Sequence, residues 1–475
     1  MWLLLSCFGL LILGYLLYGR LVEWLFGIDP ARPTPAFTEA DGVDFVPLPT
    51  WKVFLIQLLD IAGIGPIFGP ILGALYGPQA MLWVVLGAIF AGGVHDYFSG
   101  MLSVRNRGES IAEVVGDALG TAARQVMRFF SVLLLLLVGV VFVLSPAKLL
   151  GGLTGWGTTA LVLVIFGYYF LATIVPVQTL IGRLYPFFGA LLLFMTIGIF
   201  WGLATSDHAL VPDLDLLTNR HPDGLPLWPM LFVVLSCGAI SGFHSTQSPL
   251  MARCLSNERH GRLVFYGAMI VEGMIALIWV AVGVSFYESA GALHQVIAAG
   301  SPSLVVDQVA RALLGPIGGV LAILGVVILP ITSGDTAFRS ARLVIADTFG
   351  LAQRRISSRL LIALPLFALG YLISRYDFDL VWRYFGWANQ TLAMLVLWTA
   401  AIWLAQRGQI WGHWIATVPA TFMTAVSVAF LLHAPIGFAL PYGLAVGLGL
   451  LVSLGMLLLF LVKQVQWMAA LEASA

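Results

Sequence analysis

Residues 53–77 read VFLIQLLDIAGIGPIFGPILGALYG, a stretch long enough to cross a bilayer but interrupted near its middle by Asp60 and a run of glycines and prolines. Glycine costs about 1 kcal/mol and proline about 3 kcal/mol in a helix interior, and a charged side chain at bilayer depth costs at least ~2.5 kcal/mol. Opened backbone persists in a membrane only where protein buries it or it lines a cavity. The stretch therefore predicts a discontinuous helix at a binding site.

A second apolar stretch is interrupted in a similar way. Residues 230–250 read MLFVVLSCGAISGFHSTQSPL, where Gly238, Gly242 and Pro249 stand among polar side chains. Two broken helices in corresponding halves of a membrane protein are typical of secondary transporters. We predict that both helices are discontinuous, antiparallel and in contact, with unwound backbone at 62–66 and 241–245.

The composition predicts an all-α polytopic membrane protein. Of the 475 residues, 60% are hydrophobic and 10% are charged, and the mean hydropathy is +0.98. The net charge of zero argues against a nucleic-acid partner, the three cysteines form no CxxC motif or disulfide framework, and we expect no cofactor. Apolar windows predict about thirteen transmembrane helices, near 2–18, 53–77, 80–103, 129–149, 157–181, 185–204, 230–250, 264–287, 312–332, 360–375, 381–404, 412–433 and 437–463.

Positive charge is concentrated in alternate loops, and the loops between them carry acidic residues such as Asp215 and Asp223. Because cytoplasmic loops are rich in arginine and lysine, this pattern places the amino terminus outside and the carboxyl terminus in the cytoplasm. The linker at 19–51 would then also be cytoplasmic, although it is rich in Asp and Glu. The arginines are Arg105, Arg107, Arg124 and Arg128 after the third span, Arg253, Arg259 and Arg262 after the seventh, and Arg339, Arg342, Arg354, Arg355 and Arg359 after the ninth.

The spacing of the broken spans indicates an inverted repeat. Five predicted spans run from the first broken span up to the second, and five more run from the second to residue 404. An odd number of spans reverses direction across the membrane, as in the 5+5 core of the LeuT-like transporters. We expect a ten-helix core at 52–404, with repeats near 52–204 and 230–404, an added helix and linker at 1–51, and two C-terminal helices at 405–475.

Several motifs resemble those of a known family. IAGIGPIFGPILGA (61–74), CGAISGFHS (237–245) and GWANQTLAM (386–394) look like segments of the carbon starvation protein A family of peptide and pyruvate transporters. The resemblance runs in order over roughly residues 13–405. One departure is that the family's histidine pair ahead of IAG is replaced here by Ile56 and Gln57. Further matches are IDPARPTPA (28–36), DGVDFVP (41–47), AGGVHDYF (91–98), YGAMIVEG (266–273) and RSARLVIAD (339–347).

The resemblance implies a secondary transporter of a bacterial inner membrane that takes up a small carboxylate-bearing nutrient, such as pyruvate or a short peptide, during carbon starvation. We expect proton symport, with the half-helix N-termini holding the carboxylate and Asp60, His244 or Glu272 taking the proton. A sodium-coupled carrier of the same fold and a channel or sensor without coupled transport are the alternatives. An enzyme is not expected, because the chain has no GxSxG or HExxH motif.

The first break offers one carboxylate beside free backbone. Asp60 precedes the predicted start of a half-helix, where unpaired N–H groups attract anions. Its side chain either carries a proton or cation beside the substrate or caps the amides of Gly63 and Gly65. The general association of intramembrane carboxylates with function favours the first interpretation.

The second break offers a histidine within a polar segment. His244 is a group that titrates near physiological pH, so it either exchanges a proton during transport or stays neutral and bonded to a free carbonyl. Ser241, Ser245, Thr246 and Gln247 either contact a substrate carboxylate or satisfy the opened backbone.

Other polar residues lie deep in neighbouring spans. Glu272 is a candidate proton relay, because an isolated glutamate at that depth has to be protonated or paired. Asp96 has either a transport role or a partner among the loop arginines, and the adjacent His95 points elsewhere on the helix. Asn389 and Gln390 are expected to hydrogen-bond a neighbouring helix.

Residues 328–342, ILPITSGDTAFRSAR, form a third predicted interruption. Thr332, Ser333 and Asp335 supply hard oxygens that suit a sodium ion, together with carbonyls freed at the first break. The alternative is that Asp335 is a structural carboxylate that starts an amphipathic helix over 335–349. We expect no firm metal site beyond this sodium alternative.

Overall fold

The computed structural model describes residues 2–175, 181–206, 208, 211, 215–376, 378–435 and 437–474. This part of the chain is helical and contains no strand, and its long apolar helices pack into one bundle. The helices are α1 (Trp2–Phe26), α2 (Thr50–Ile61), α3 (Gly65–Gly73), α4 (Gln79–Arg105), α5 (Ile111–Leu119), α6 (Thr121–Thr154), α7 (Thr158–Ile174), α8 (Ile181–Thr205), α9 (Leu227–Val234), α10 (Gly242–Ala252), α11 (Glu258–Ser285), α12 (Ala290–Phe349), α13 (Ile356–Ile373), α14 (Phe378–Gln406), α15 (Trp414–His433) and α16 (Tyr442–Ser474).

These helices confirm a multi-pass membrane protein. Within the described ranges, ten helices are long and apolar enough to span a bilayer, and the bent pair α2–α3 adds an eleventh. Two of the thirteen predicted spans fall outside this set. Residues 158–174 form a helix of only 17 residues, and residues 230–250 are divided between two short helices. Whether these two segments also cross the membrane stays a prediction.

The first broken helix has its break where the sequence predicts it. Helix α2 ends at Ile61, α3 begins at Gly65, and the two axes differ by 46°. The unwound residues are 62–64, a shorter break than the predicted 62–66, because Pro66 occupies the first turn of α3. Proline is tolerated there, since the N–H that it lacks would have no partner in a helix's first turn.

The second break lies earlier than predicted. Helix α9 ends at Val234 and α10 begins at Gly242, so the unwound residues are 235–241 and the prediction of 241–245 was wrong. Gly238 adopts a φ of +89°, a conformation that glycine tolerates far better than other residues. Ser241 is extended and lies at the N-cap position of α10. His244 and Ser245 are therefore helical residues in the first turn of α10 and are not in unwound backbone.

The two broken helices are in contact and run in opposite directions. A Cβ atom built on Gly65 would overlap the side chain of Cys237, and one on Gly69 would lie 3.0 Å from the carbonyl oxygen of Val234. One turn further along α3, a Cβ atom on Gly73 would lie 3.2 Å from Leu235 and 3.6 Å from Leu231. Helix α3 packs against α9, and α2 packs against α10, so the first half of each broken helix meets the second half of the other, which is antiparallel packing.

The predicted interruption at 328–342 was wrong. Helix α12 is continuous there, and its non-helical residues lie earlier, at Gly300, Ser301 and Gly315. The residues from 332 to 344 are buried against neighbouring helices, including α6 and α8, so there is no separate amphipathic helix. Asp335 is consequently an interior residue of α12 and not an N-cap.

The acidic linker between α1 and α2 covers the arginine-rich end of the bundle. Asp44 is buried and pairs with Arg339 at 2.7 Å and with Arg342 at 3.1 Å, and Glu39 pairs with Arg107 at 2.8 Å. Burial alone would raise the pKa of Asp44, but the adjacent arginines outweigh it and hold that pKa below its usual range. Asp44 and Glu39 of the linker therefore pair with arginines of α12 and of the turn after α4, which explains an acidic segment on that side.

Candidate functional site

Three predicted site residues from three helices meet in one buried group. The Nδ1 atom of His244 lies 2.9 Å from Oδ2 of Asp96, and its Nε2 atom lies 3.3 Å from Oε2 of Glu272. All three side chains are fully buried. We call these residues, together with His95 and Cys237, the His244 cluster.

The fold sets the position of each member of the His244 cluster. His244 lies in the first turn of α10, Asp96 in α4 and Glu272 in α11, and both α4 and α11 pack against the broken helices. The other oxygen of Glu272, Oε1, accepts a hydrogen bond of 3.1 Å from the amide of Gly238 in the second break. The break therefore presents both a histidine and an anchor for the glutamate.

Two predictions about Asp96 are corrected by the structure. Its carboxylate pairs with histidines and not with a loop arginine, since Oδ1 lies 2.7 Å from Nδ1 of His95 and Oδ2 bonds His244. His95 therefore belongs to the cluster although it is adjacent in sequence. Its ring folds back onto the neighbouring carboxylate, so the helical angle between the two residues does not separate their side chains.

A second buried group surrounds Tyr185. Its hydroxyl oxygen lies 3.1 Å from Oδ1 of Asp60, 3.2 Å from Oδ1 of Asp335 and 3.1 Å from the carbonyl oxygen of Thr332. The hydroxyl of Tyr168 donates to the other oxygen of Asp335 at 2.7 Å. We call these five residues the Tyr185 cluster.

Asp60 does not cap the break, contrary to one of the two interpretations of this residue. Its Oδ1 atom accepts from Tyr185, and its buried Oδ2 atom has no hydrogen-bond partner in the described part of the chain. The two carboxylates of the Tyr185 cluster come from α2 and α12, which pack together beside α8. The sequence identified both carboxylates but not the tyrosine hydroxyl that lies between them.

The hydroxyl groups proposed for a sodium site converge on a different carbonyl. Thr332 and Ser333 donate to the carbonyl oxygen of Leu59 at 3.2 and 3.0 Å. Binding of a sodium ion with the carbonyls freed at the first break, those of Ala62 and Gly63, stays a prediction. Because α2 ends at Ile61, the Leu59 carbonyl near its C-terminus is one of those that helix ends leave available.

Asn389 stabilises the second break through hydrogen bonds. The prediction that it bonds a neighbouring segment is confirmed. Its Oδ1 atom accepts from the amide of Phe243 at 2.6 Å and from the hydroxyl of Ser241 at 3.1 Å, and its Nδ2 atom donates to Ser236 at 3.2 Å. Gln390 donates to the carbonyl of Phe232 at 2.8 Å. The hydroxyl of Ser241 thus bonds the side chain of Asn389 and does not cap α10.

The remaining polar residues of α10 are bonded mainly within that helix. Thr246 donates to the carbonyl of Phe243 at 2.6 Å and accepts from Gln247 at 3.0 Å, and the buried Oε1 atom of Gln247 has no hydrogen-bond partner in the described ranges. Ser245 bonds the carbonyl of Gly242 at 2.7 Å. Gln57, which takes the place of a family histidine next to the buried Ile56, donates to Ser248 of α10 at 3.3 Å.

The first break leaves backbone donors unused. No described residue accepts a hydrogen bond from the amides of Gly63, Ile64 or Gly65, and no side chain caps α3. Gly63 lies against Phe142 and Ser333, and Gly65 lies against Cys237. These amides form the positive end of a helix, placed where the two broken helices meet.

Comparison with known proteins identifies the family. The model of the family described as "Carbon starvation protein CstA" matches residues 1–166, 146–311 and 283–429. The chain belongs to the CstA family. An "uncharacterized membrane protein" of Haemophilus influenzae is 46% identical over 357 residues, which cover 64% of this chain and 96% of the relative.

Named members of the CstA family are transporters. The "peptide transporter CstA" of Escherichia coli is 25% identical over 583 aligned positions, covering 92% of this chain and 82% of the relative. The "pyruvate/proton symporter BtsT" of the same organism is 26% identical over 348 positions, covering 58% of this chain and 48% of the symporter. Both names describe transport.

The fold is also shared with a solved transporter. Crystal structures of the Eremococcus coleocola manganese transporter match with a TM-score of 0.51 and 12% sequence identity, and the match covers 91% of this chain and 99% of that chain. At this identity the likeness concerns the fold alone.

Proposed function

We propose that this CstA family member is a secondary active transporter that takes up a small carboxylate-bearing nutrient, such as pyruvate or a short peptide, together with a proton. The observation that carries the proposal is the meeting of the two broken helices at Gly65 and Cys237, with unused amides and two clusters of buried ionisable residues around it. Relatives named as a peptide transporter and as a pyruvate/proton symporter support this substrate class.

The N-terminus of α3 is the proposed position of the substrate carboxylate. Consecutive amides at a helix N-terminus attract anions through both hydrogen bonding and the helix dipole. The amides of Gly63, Ile64 and Gly65 are such a set, and no described residue uses them. At α10 the corresponding donor, the amide of Phe243, is already bonded to Asn389. The proposal therefore assigns the carboxylate to the first break and not equally to both.

Asp60 is the proposed carrier of the coupling proton, among the earlier candidates Asp60, His244 and Glu272. The Tyr185 hydroxyl has one proton, yet three acceptor oxygens lie within 3.2 Å of it. It can satisfy only one of them, and Oδ2 of Asp60 has no hydrogen-bond partner among the described residues. Because an unpaired buried carboxylate is costly, a proton on Asp60 stabilises this closed arrangement. Release of that proton would accompany opening of the site to water.

We extend the proposal to architecture and orientation. Thirteen transmembrane helices would comprise an added helix at 1–51, a LeuT-like core at 52–404 built from inverted repeats near 52–204 and 230–404, and two helices at 405–475. The antiparallel contact of α3 with the segment 231–237 supports such a repeat. The arginine-rich end with its covering linker would be cytoplasmic, with the carboxyl terminus on the same side of a bacterial inner membrane.

Sodium coupling is the second candidate, and one observation favours it. Two hydroxyl oxygens and one carbonyl oxygen, from Thr332, Ser333 and Leu59, lie together where α12 passes the end of α2. Hard oxygen ligands of this kind suit a small cation. In the present arrangement both hydroxyls donate hydrogen bonds to the carbonyl, so a sodium ion would have to replace those bonds.

Uptake into proteoliposomes under separate ion gradients tests the proposal. We expect pyruvate, short peptides or amino acids from a substrate panel to accumulate in sodium-free buffer with an inward proton gradient. A protonophore should abolish this accumulation. Strict dependence on sodium, lost in Ser333→Ala, would overturn the proton assignment in favour of the oxygen group on α12, and an ohmic current without saturable uptake would indicate a channel.

A further inference from the structure

A set of metal-ligating atoms converges within the His244 cluster. The Sγ atom of Cys237, the Nε2 atom of His244 and the Oε2 atom of Glu272 all lie within 4.8 Å of one another. We propose that these three residues bind a borderline-soft divalent cation of the Zn²⁺ class. The proposal concerns a site distinct from the oxygen group of Thr332 and Ser333, and it does not rest on the proposed transport function.

The spacing of the atoms fits such an ion. Zn–N and Zn–O bonds of about 2.0–2.1 Å in a tetrahedral site separate neighbouring ligand atoms by about 3.3 Å, and Nε2 of His244 lies 3.3 Å from Oε2 of Glu272. Zn–S bonds are longer, about 2.3 Å, so a wider separation to the sulfur of Cys237 is expected. The mixture of sulfur, nitrogen and oxygen favours Zn²⁺ over Mg²⁺ or Ca²⁺, which prefer oxygen alone.

Two of the three atoms make no hydrogen bond although burial favours one. Nε2 of His244 and Oε2 of Glu272 face each other at 3.3 Å, but neither makes a hydrogen bond within the described residues, and both side chains are fully buried. Unsatisfied buried polar atoms are uncommon and call for a physical explanation. A cation between them would satisfy both at once. The thiol of Cys237, which now faces the hydroxyl of Ser241 at 3.6 Å, would supply a third bond.

Hydrogen bonds with neighbouring groups fix the orientation of these ligand atoms. Asp96 bonds Nδ1 of His244 at 2.9 Å, which leaves Nε2 free to ligate, and the amide of Gly238 bonds Oε1 of Glu272 at 3.1 Å, which leaves Oε2 free. A carboxylate behind a ligating histidine is the usual outer arrangement at protein zinc sites. The second break contributes both Cys237 and the anchoring amide, so its unwound backbone is part of the site.

The charges also balance. A thiolate, a carboxylate and a neutral imidazole carry a charge of −2, which a divalent cation neutralises. Three protein ligands leave a fourth coordination position open, as in zinc sites that exchange a ligand. Because Gly65 lies directly against Cys237, this cation would be adjacent to the unused amides of the first break.

Metal titration of the purified full-length protein tests the site. We expect one Zn²⁺ per chain that survives buffer exchange, and a Co²⁺-loaded protein with a thiolate-to-cobalt absorption band. Cys237→Ser should lose that band, and His244→Gln and Glu272→Gln should lose stoichiometric Zn²⁺ binding. Asp96→Asn, which acts only through His244, should weaken binding roughly 10- to 100-fold. The matched controls Cys7→Ser and Cys254→Ser, at the two other buried free cysteines, should keep both signals.

Folding of each variant is checked by circular dichroism and by elution as a single species. If a variant fails to fold, the presence or absence of the cobalt–thiolate band in the unaltered protein still decides the proposal. Absence of bound Zn²⁺ in the unaltered protein, or retention of the band in folded Cys237→Ser, would overturn it. Uptake without metal binding would leave only the transport proposal standing, and metal binding without uptake would leave only this one.

Discussion

Tyr185 places one hydroxyl proton between two buried carboxylates, and this arrangement makes Asp60 testable. We predict that Asp60→Asn reduces proton-driven uptake more than tenfold, because an amide cannot take up and release the proton. Exchange of labelled for unlabelled substrate, which needs no net proton movement, should be retained better. Uptake and exchange in the same proteoliposomes measure the difference.

A surface aspartate provides the control for the Asp60 substitution. Asp117→Asn alters an exposed carboxylate that pairs with Arg124 at the surface, and we expect it to leave both activities unchanged. Equal uptake by the Asp60 variant and the unaltered protein between pH 5 and 8 would exclude Asp60 as the coupling residue.

The hydroxyl itself can be removed separately. We predict that Tyr185→Phe shifts the pH dependence of uptake, because Asp60 and Asp335 lose the donor that lies between them. The exposed Tyr384→Phe is the matched control and should not shift the profile. A change in maximal rate without any change in the pH profile would contradict a role in positioning the proton.

Individual site residues differed in how far the sequence predicted them. Asp96, His244 and Glu272 are conspicuous because a charged or titratable side chain is costly in an apolar span, and the structure brings them together. Cys237 and Tyr185 carry no such cost, since cysteine and tyrosine are ordinary buried residues. The signal that was available for Tyr185 is its hydroxyl, which needs a partner when buried.

At the element scale, Asn389 joins α14 to the second break. We predict that Asn389→Leu lowers the thermal stability of the purified protein and abolishes uptake. The substitution leaves the amide of Phe243 buried without its acceptor, at a cost of about 1–3 kcal/mol. Thermal denaturation in detergent measures the effect.

Asn219→Ala is a suitable control for this element. Asn219 also bonds backbone through its side chain, but it does so in an exposed loop. We expect its denaturation curve to match that of the unaltered protein. A stable and active Asn389→Leu variant would show that the break does not need this brace.

The sequence predicted that two helices are broken, but it did not predict the position of every break correctly. Pro66 and the glycines around it placed the first break almost correctly. In the second, the number of polar residues after Ser241 was misleading, because α10 satisfies Ser245 and Thr246 with its own carbonyls. The polar run at 328–342 was misleading for a related reason, since Ser333, Asp335 and Arg339 bond to other segments that only the fold brings next to α12.

At the scale of the whole molecule, Asp44 joins the linker to the far end of α12. We predict that Asp44→Asn opens this end, because removal of one partner of a buried ion pair costs about 3–5 kcal/mol. The thiol of Cys254, only 1% exposed and 3.8 Å from the carbonyl of Asp44, reports the opening. Its modification by a maleimide, measured in a Cys7→Ser/Cys237→Ser background, should become faster.

The control for this prediction lies in the same linker. Glu39 pairs with Arg107, which is 77% exposed, and exposed pairs contribute about 0–1 kcal/mol. We therefore expect Glu39→Gln to leave the labelling rate of Cys254 unchanged. An equal rate in Asp44→Asn would show that the linker is held by other contacts.

The pH dependence of this pair has a definite sign. Because the pKa of Asp44 is held below its usual range, the pair stabilises the folded protein at every pH above the unfolded value of about 3.9 and loses this effect as the pH falls further. Labelling of Cys254, normalised to the unfolded protein at each pH, should therefore be flat between pH 5 and 8. A rise in normalised labelling near pH 6 would assign the closure to another group.

The membrane class and the charge asymmetry of the loops were readable from composition and from the positions of the arginines. The place of the acidic linker was not, because the partners of Asp44 lie in α12, almost 300 residues away. A count of charges alone argues against an acidic segment on the same side as arginine-rich loops. The ion pairs between them explain why the two lie together. The pairing itself is therefore a property of the folded chain and not of any local segment.

The pairing of Asp44 with Arg339 also sets an order of assembly. The two residues are 295 positions apart, so a ribosome adding about 5–20 residues per second needs about 15 to 60 s to pass from one to the other. During that time α1 and its linker have been synthesised, but the arginines that neutralise Asp44 do not yet exist. The buried ion pair of the linker can thus form only after the arginines of α12 have been synthesised.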